Sequence, residues 1–257
     1  MKVDEIMAEK VVTIHKDRKL SDAIDTMEKQ RVSRLLVVNG SELIGIITER
    51  DILDTLGSGK HGNVLPSRLH VSSAISKNLI TINRKADLKE AAELMLKMNI
   101  RSLPVVNSQL EGIVTTTDLL KPLTDSSVYV KEIMSTPVIT VLTTDRVVHA
   151  RRLMLDNNVG RLIVVEDFNI AGIITQRQLG RAMAAFKKNA DSHQANRIRN
   201  LLVEDVMSQN VITISEDTTA GEAAKIMLDN VFSGLPVVRE KTLVGIVTKK
   251  DIIKLYQ

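Results

Sequence analysis

Four short stretches of this chain set a threonine three residues ahead of a carboxylate or an amide. The first is Gly45-Ile46-Ile47-Thr48-Glu49-Arg50-Asp51, and close copies run from Gly112 through Thr115 to Asp118, from Gly172 through Thr175 to Gln178, and from Gly245 through Thr248 to Asp251. A carboxylate can accept two hydrogen bonds from a vicinal diol such as that of a ribose. A threonine hydroxyl and the backbone N–H groups of a helix start can bind phosphate. The same spacing also makes a capping box, in which the threonine caps a helix and the later acid or amide bonds back. The residues alone leave both uses open, and they coexist more easily at the threonine than at the acid. Arg50, Arg177 and Lys250 stand beside the acid or its replacement and are further phosphate candidates.

Each stretch couples a β-branched run to the threonine, as a short buried strand handing over to a helix would. The elements around it recur as well. A short apolar segment opens each copy: Val11 to Ile14, Leu79 to Ile82, Val138 to Val141 and Val211 to Ile214. Their β-branched content predicts strands. An amphipathic helix follows, with Leu20, Ala23, Ile24 and Met27 at helical spacing in the first copy and Ala220, Ala223, Ala224 and Met227 in the last. Next comes Leu35 to Val38, Leu103 to Val106, Leu162 to Val165 or Leu235 to Val238, joined by a polar turn to the Gly-Ile run as a hairpin. Pro104 and Pro236 then belong at a strand start or edge, because proline cannot donate to a ladder. The unit is β-α-β-β-α, and so small a unit buries too little surface to stand alone.

Composition narrows the chemistry. The 257 residues contain no cysteine, which removes disulfides, thiolate nucleophiles and cysteine-ligated metals, and the five histidines show no metal-ligand spacing. No nucleophile–base arrangement or Gly-rich Walker loop is visible, so no enzyme activity and no cofactor are expected. No apolar run reaches the roughly 20 residues that span a bilayer, and the N-terminus lacks a signal-peptide core. The expectation is a cytoplasmic, non-membrane protein. Aromatic residues are 2% of the chain, so Ile, Val, Leu, Met and Ala must build the core. The formal charge of +4 is mildly basic and favours anionic partners.

The order of strand, Ala- and Met-bearing helix, Leu-Pro-Val-Val and Gly-Ile-Val-Thr-x-x-Asp resembles the cystathionine-β-synthase (CBS) domain, in all four copies. The resemblance implies an α/β (α+β) fold of four repeats, near 3–57, 71–123, 130–185 and 203–257, arranged as two pseudo-twofold pairs. The Pro- and Ser-bearing stretch from Lys121 to Tyr129 sets the boundary, giving pairs 1–123 and 128–257. Such pairs bind adenosine-containing ligands, and four-repeat chains resemble the gamma subunit of AMP-activated protein kinase. The family's shared clefts would set Thr48 and Asp51 against Thr81, Ile82, Ile100 and Arg101. Thr115 and Asp118 would meet Thr13, Ile14, Val32 and Arg34, and Thr248 and Asp251 would meet Thr140, Val141, Val159 and Arg161. The acid would take the ribose, the arginine a phosphate, and the apolar residues the adenine. The fourth grouping departs, since Gln178 replaces the acid and Thr213, Phe232, Ser233 and Gly234 face it. The ligand implied is AMP, ADP or ATP, with an unidentified regulated protein as partner and a homodimer open. Two alternatives stand beside this: an uncharged adenosine derivative or S-adenosylmethionine as ligand, and nucleic-acid binding through the basic 177–199 segment. That segment's start reads as a helical extension and its middle, Asn189 to Ser192, as a turn.

Overall fold

A computed structural model describes residues 1–58, 64–76, 78–189 and 200–257, leaving aside the side chains of 188 and 189. The first repeat runs β1 (Thr13–His15), α1 (Leu20–Lys29), β2 (Arg34–Asn39), β3 (Glu42–Thr48) and α2 (Glu49–Gly57). The second has α3 (Leu88–Lys97), β4 (Ser102–Asn107), β5 (Gln109–Thr115) and α4 (Thr116–Leu120). In the third, α5 (Val130–Ile133) precedes β6 (Thr140–Leu142), α6 (Val147–Asp156), β7 (Arg161–Glu166), β8 (Asn169–Thr175) and α7 (Gln176–Asn189). The fourth comprises β9 (Ile214–Ser215), α8 (Ala220–Asp229), β10 (Gly234–Arg239), β11 (Thr242–Thr248) and α9 (Lys249–Ile253). The predicted hairpins are present as antiparallel pairs β2–β3, β4–β5, β7–β8 and β10–β11. The helical extension of the third repeat is α7, while residues 190–199, which include most of the predicted turn, lie outside the described residues.

The opening strands differ from expectation in register and length. They begin at the threonine or after it instead of ending one residue past it, and they add in parallel to the hairpin: Thr13 opposes Leu36 and Thr140 opposes Ile163. In the first repeat the Leu36 N–H also donates to the Val12 carbonyl at 3.2 Å. Pro104 and Pro236 occupy that position in the second and fourth repeats and have no N–H to give. The parallel strand accordingly shrinks to a single bridge, Ile82 to Val105, in the second repeat and to two residues, β9, in the fourth. Pro236 is therefore not at an edge. It lies within the middle strand of β11-β10-β9, at the point where the parallel ladder has stopped.

The chain divides into two compact units assembled from discontinuous stretches. One comprises Met1–Val11, Ile80–Val138 and Ile212–Gln257, and the other Val12–Leu79 and Ile139–Val211. The first thus holds the bulk of the second and fourth repeats, and the other the bulk of the first and third, so neither coincides with 1–123 or 128–257. Each has its own aliphatic core. Leu88, Ala91, Met95, Leu103 and Val114 join Ala223, Met227, Leu235 and Val247 in the first unit. Leu20, Ala23, Leu35 and Ile47 join Ala150, Met154, Leu162 and Ile174 in the second. The periodic Ala and Met positions are core, as their spacing implies. The Lys121–Tyr129 stretch is docked: the Ala220 and Gly221 N–H groups of α8 donate to the carbonyls of Val128 (2.7 Å) and Ser126 (3.1 Å).

Segments just ahead of the opening strands fold onto the Gly-Ile strands. Ala8 bridges Ile113, Ser76 bridges Ile46, Ser135 bridges Ile246 and Ser208 bridges Ile173. This crossing explains the motif glycine. A Cβ at Gly112 would lie 2.8 Å from the Ala8 carbonyl oxygen, and one at Gly45 would lie 2.9 Å from that of Ser76. Both obstacles are backbone and cannot rotate away. Gly112→Ala is expected to lower stability by about 1–3 kcal/mol, the usual range for overpacking, as read from the denaturant midpoint at unchanged slope.

Candidate functional site

Each of the four threonines stands directly before its helix and is bonded by the acid or amide three residues on, and the geometry separates what this cap uses from what it leaves. The Thr48 N–H and hydroxyl both donate to Asp51 Oδ2, at 2.8 and 2.6 Å. The same pair of bonds measures 2.9 and 2.8 Å at Thr115–Asp118 and 2.9 and 2.7 Å at Thr248–Asp251. Gln178 does the same work with Oε1, at 2.8 Å from both Thr175 donors. One neutral oxygen is therefore enough for the cap. In three repeats the acid brings a second oxygen and a full charge that the cap does not use. Lys121 Nζ donates to Asp118 Oδ1 at 2.9 Å. Asp251 Oδ1 accepts from Ser135 Oγ at 3.0 Å and Lys254 Nζ at 2.8 Å. Asp51 Oδ1 has no hydrogen bond among the described residues. The amide of Gln178 instead donates to Ser208 Oγ at 2.8 Å.

Burial pushes the Asp51 carboxyl above the ordinary carboxylate range, against the lowering effect of the Thr48 hydrogen bonds and of Arg50. A pKa raised on folding means that the folded state prefers the protonated acid. Its stabilising contribution is complete below the unfolded value of about 3.9 and is lost as pH rises through the higher folded value. The charge at neutral pH is thus held at a cost to stability, as at many functional carboxylates. Asp51→Asn keeps an acceptor for Thr48 and removes that cost, so it is expected to be at least as stable as the parent at pH 7 and to lose the advantage below pH 4. Asp51→Ala, which loses the cap, is expected to fall by about 1 kcal/mol. Thermal melts across pH 3–7 check both.

Strand register corrects the matching of the arginines. Arg34 lies opposite Thr48 and Arg161 opposite Thr175, whereas Ser102 and Gly234 hold that place opposite Thr115 and Thr248. Arg101 stands one residue earlier, where its carbonyl accepts from Thr116 N–H, as those of Ser33, Gly160 and Ser233 accept from Glu49, Gln176 and Lys249. It is the counterpart of Ser33, not of Arg34. Among the apolar residues assigned to adenine, Ile14, Ile82 and Val141 are core side chains, at 7, 4 and 3% exposure. Val32, Ile100 and Val159 are half-buried, and Thr13 and Thr81 are exposed.

Arg50, Lys250 and Arg177 reach the C-terminal ends of first helices. Arg50 bonds Asn158, behind α6, and at 3.1 Å the Leu155 carbonyl in its last turn. Lys250 bonds Asn99 behind α3. Arg177 bonds Glu49 and, at 3.2 Å, the Val32 carbonyl behind α1. Cations suit the negative end of a helix, which gives these three a structural use. Arg181 pairs with Glu28 at 2.6 Å, and Lys187 Nζ donates to the Leu56 carbonyl at 2.8 Å. Arg177, Arg181 and Lys187 of α7 are thus each engaged by a partner within their own unit, with Arg181 still exposed. Sequence reasoning missed Lys121, Lys254, Ser135 and Ser208. The lysines were signalled only by their i+3 spacing from the acid.

The family model for the CBS domain matches residues 3–58, 71–125, 130–185 and 203–257. Protein MJ1225 of Methanocaldococcus jannaschii is 30% identical over 96% of this chain and 95% of its own length. Its crystal structure, described as that of a candidate archaeal homologue of g-AMPK, superposes with a TM-score of 0.91 over the whole of both chains. Protein MJ1404 of the same organism is 32% identical over 98% of this chain, which spans 61% of that protein. Among the described residues no helix is long and apolar enough to cross a membrane, and no group of three His, Cys, Asp or Glu could hold a metal.

Proposed function

Because this chain belongs to the CBS-domain family, we propose that it is a non-catalytic regulatory protein that binds adenosine nucleotides at its Thr-x-x-Asp elements and passes their occupancy to a partner protein. The observation that carries this reading is the surplus carboxylate oxygen. Gln178 performs the cap without a charge, so capping alone does not account for Asp51, Asp118 and Asp251. A carboxylate with one oxygen committed and the other facing only a serine, a lysine or no donor suits a diol. Arg34, opposite Thr48, supplies a guanidinium of the kind that recognises phosphate. The full-length likeness to MJ1225, whose description points to the kinase gamma subunit, supports the same class.

Titration calorimetry with AMP, ADP, ATP and S-adenosylmethionine tests the proposal. Saturable binding of AMP, ADP or ATP, abolished site by site by acid substitution, is the expected result. Absence of heat with all of them would remove it, and binding of S-adenosylmethionine alone would replace the ligand. The nucleic-acid reading has less support, since Arg177, Arg181 and Lys187 are engaged within their own unit. A mobility-shift titration in low salt is expected to show no complex with duplex or single-stranded DNA or RNA.

A further inference from the structure

The four motif elements draw their cations from two different places. In the first and third repeats the strand residue opposite the motif threonine is an arginine, Arg34 or Arg161. In the second and fourth that residue is Ser102 or Gly234, and there a lysine stands three positions after the motif acid. These lysines, Lys121 and Lys254, hold the second oxygen of Asp118 and Asp251 at 2.9 and 2.8 Å. The corresponding residues of the other two repeats are Asp54 and Arg181, which instead pair with Arg151 (3.2 Å) and Glu28 (2.6 Å). The cation therefore stands one residue past the end of α4 or α9 where the strand lacks one.

Resting on the nucleotide-binding reading above, we infer that Lys121 and Lys254 are ligand-binding residues: each screens its acid's second oxygen, yields that oxygen to the ribose diol, and serves as the phosphate cation in place of the missing arginine. The lysines are suited to such an exchange. Their side chains are 55 and 48% exposed, while the acids are 13 and 5% exposed. Only the ammonium end of each pair is half-exposed and screened by water, so a diol with two donors can displace it from the buried acid. The displaced ammonium remains tethered three residues from the acid. Ser135 Oγ, 3.0 Å from Asp251 Oδ1, helps to hold the carboxylate while the exchange takes place.

The role predicts opposite signs from one change. In the Lys121→Ala/Lys254→Ala double variant, adenosine, which has no phosphate, no longer competes with an ammonium and is expected to bind up to about fivefold tighter. ATP loses its cation and is expected to bind about tenfold more weakly. Calorimetry with adenosine and ATP on the full chain reads both, and a thermal midpoint within 2 °C of the parent, on the order of the shift about 1 kcal/mol produces, shows the fold intact. Asp54→Ala serves as the matched control and is expected to produce no such reversal. Affinities that move in the same direction, or do not move, would overturn the role of the lysines while leaving nucleotide binding in place. Failure of the parent chain to bind either compound would overturn both readings.

Discussion

Asp51→Asn, Asp118→Asn and Asp251→Asn are each expected to remove one nucleotide site, while Gln178→Ala removes none. The asparagines keep the acceptor that the threonine cap needs, so the helix start survives and the change isolates the charge and the second oxygen. A hydrogen bond to a charged group contributes about 1.5–3 kcal/mol, which corresponds to roughly ten- to hundredfold in affinity. The Gln178 element offers one neutral oxygen, already bonded twice by Thr175, and its amide nitrogen is committed to Ser208. Arg161, opposite Thr175, supplies a cation there but no diol acceptor. Binding titrations of the four variants make the comparison. A lost tight site in the Gln178 variant, with none lost from the three acids, would mean that the acids only cap.

Leu53→Ala is expected to cost about 2–5 kcal/mol of stability, the range for a fully buried leucine. Leu53 has no exposure and lies in the core shared by α1, α2 and the third repeat's α6 and α7. Its own carbonyl accepts from Arg151 Nε at 2.9 Å, and Arg151 also bonds Asp54. These contacts pin α2 from outside and limit collapse into the gap, which places the loss in the upper half of the range. Urea unfolding with a fixed slope measures it. A loss under 1 kcal/mol would show that α2 relaxes freely.

Much of this was legible in the residues. The four β-branched runs ending at Thr48, Thr115, Thr175 and Thr248 announce strand-to-helix turns, because their composition favours a pleated strand and Thr-x-x-Asp or Thr-x-x-Gln favours a cap. Leu35–Val38 and its copies announce the hairpins, since a polar turn joins two apolar runs. The opening strands were less legible. Their extent depends on whether position 36, 104, 163 or 236 has an N–H to give, a fact that becomes relevant only once the parallel register is known. Arg101 was misaligned for a related reason: it sits one residue from the arginine position, and only the pairing of Ser102 with Thr115 reveals the offset. The double use of the acids also needed coordinates. A sequence shows a carboxylate, but not that one oxygen is occupied by the cap and the other by Lys121 or Lys254.

Native mass spectrometry of the full chain with added AMP tests the central claim most directly, because it counts ligands without assuming where they sit. The account predicts discrete additions of one to three nucleotides with comparable affinity, each lost in turn on substitution of Asp51, Asp118 and Asp251. A chain that keeps its unliganded mass with AMP, ADP and ATP alike would contradict it, as would four equivalent additions that persist when all three acids are replaced.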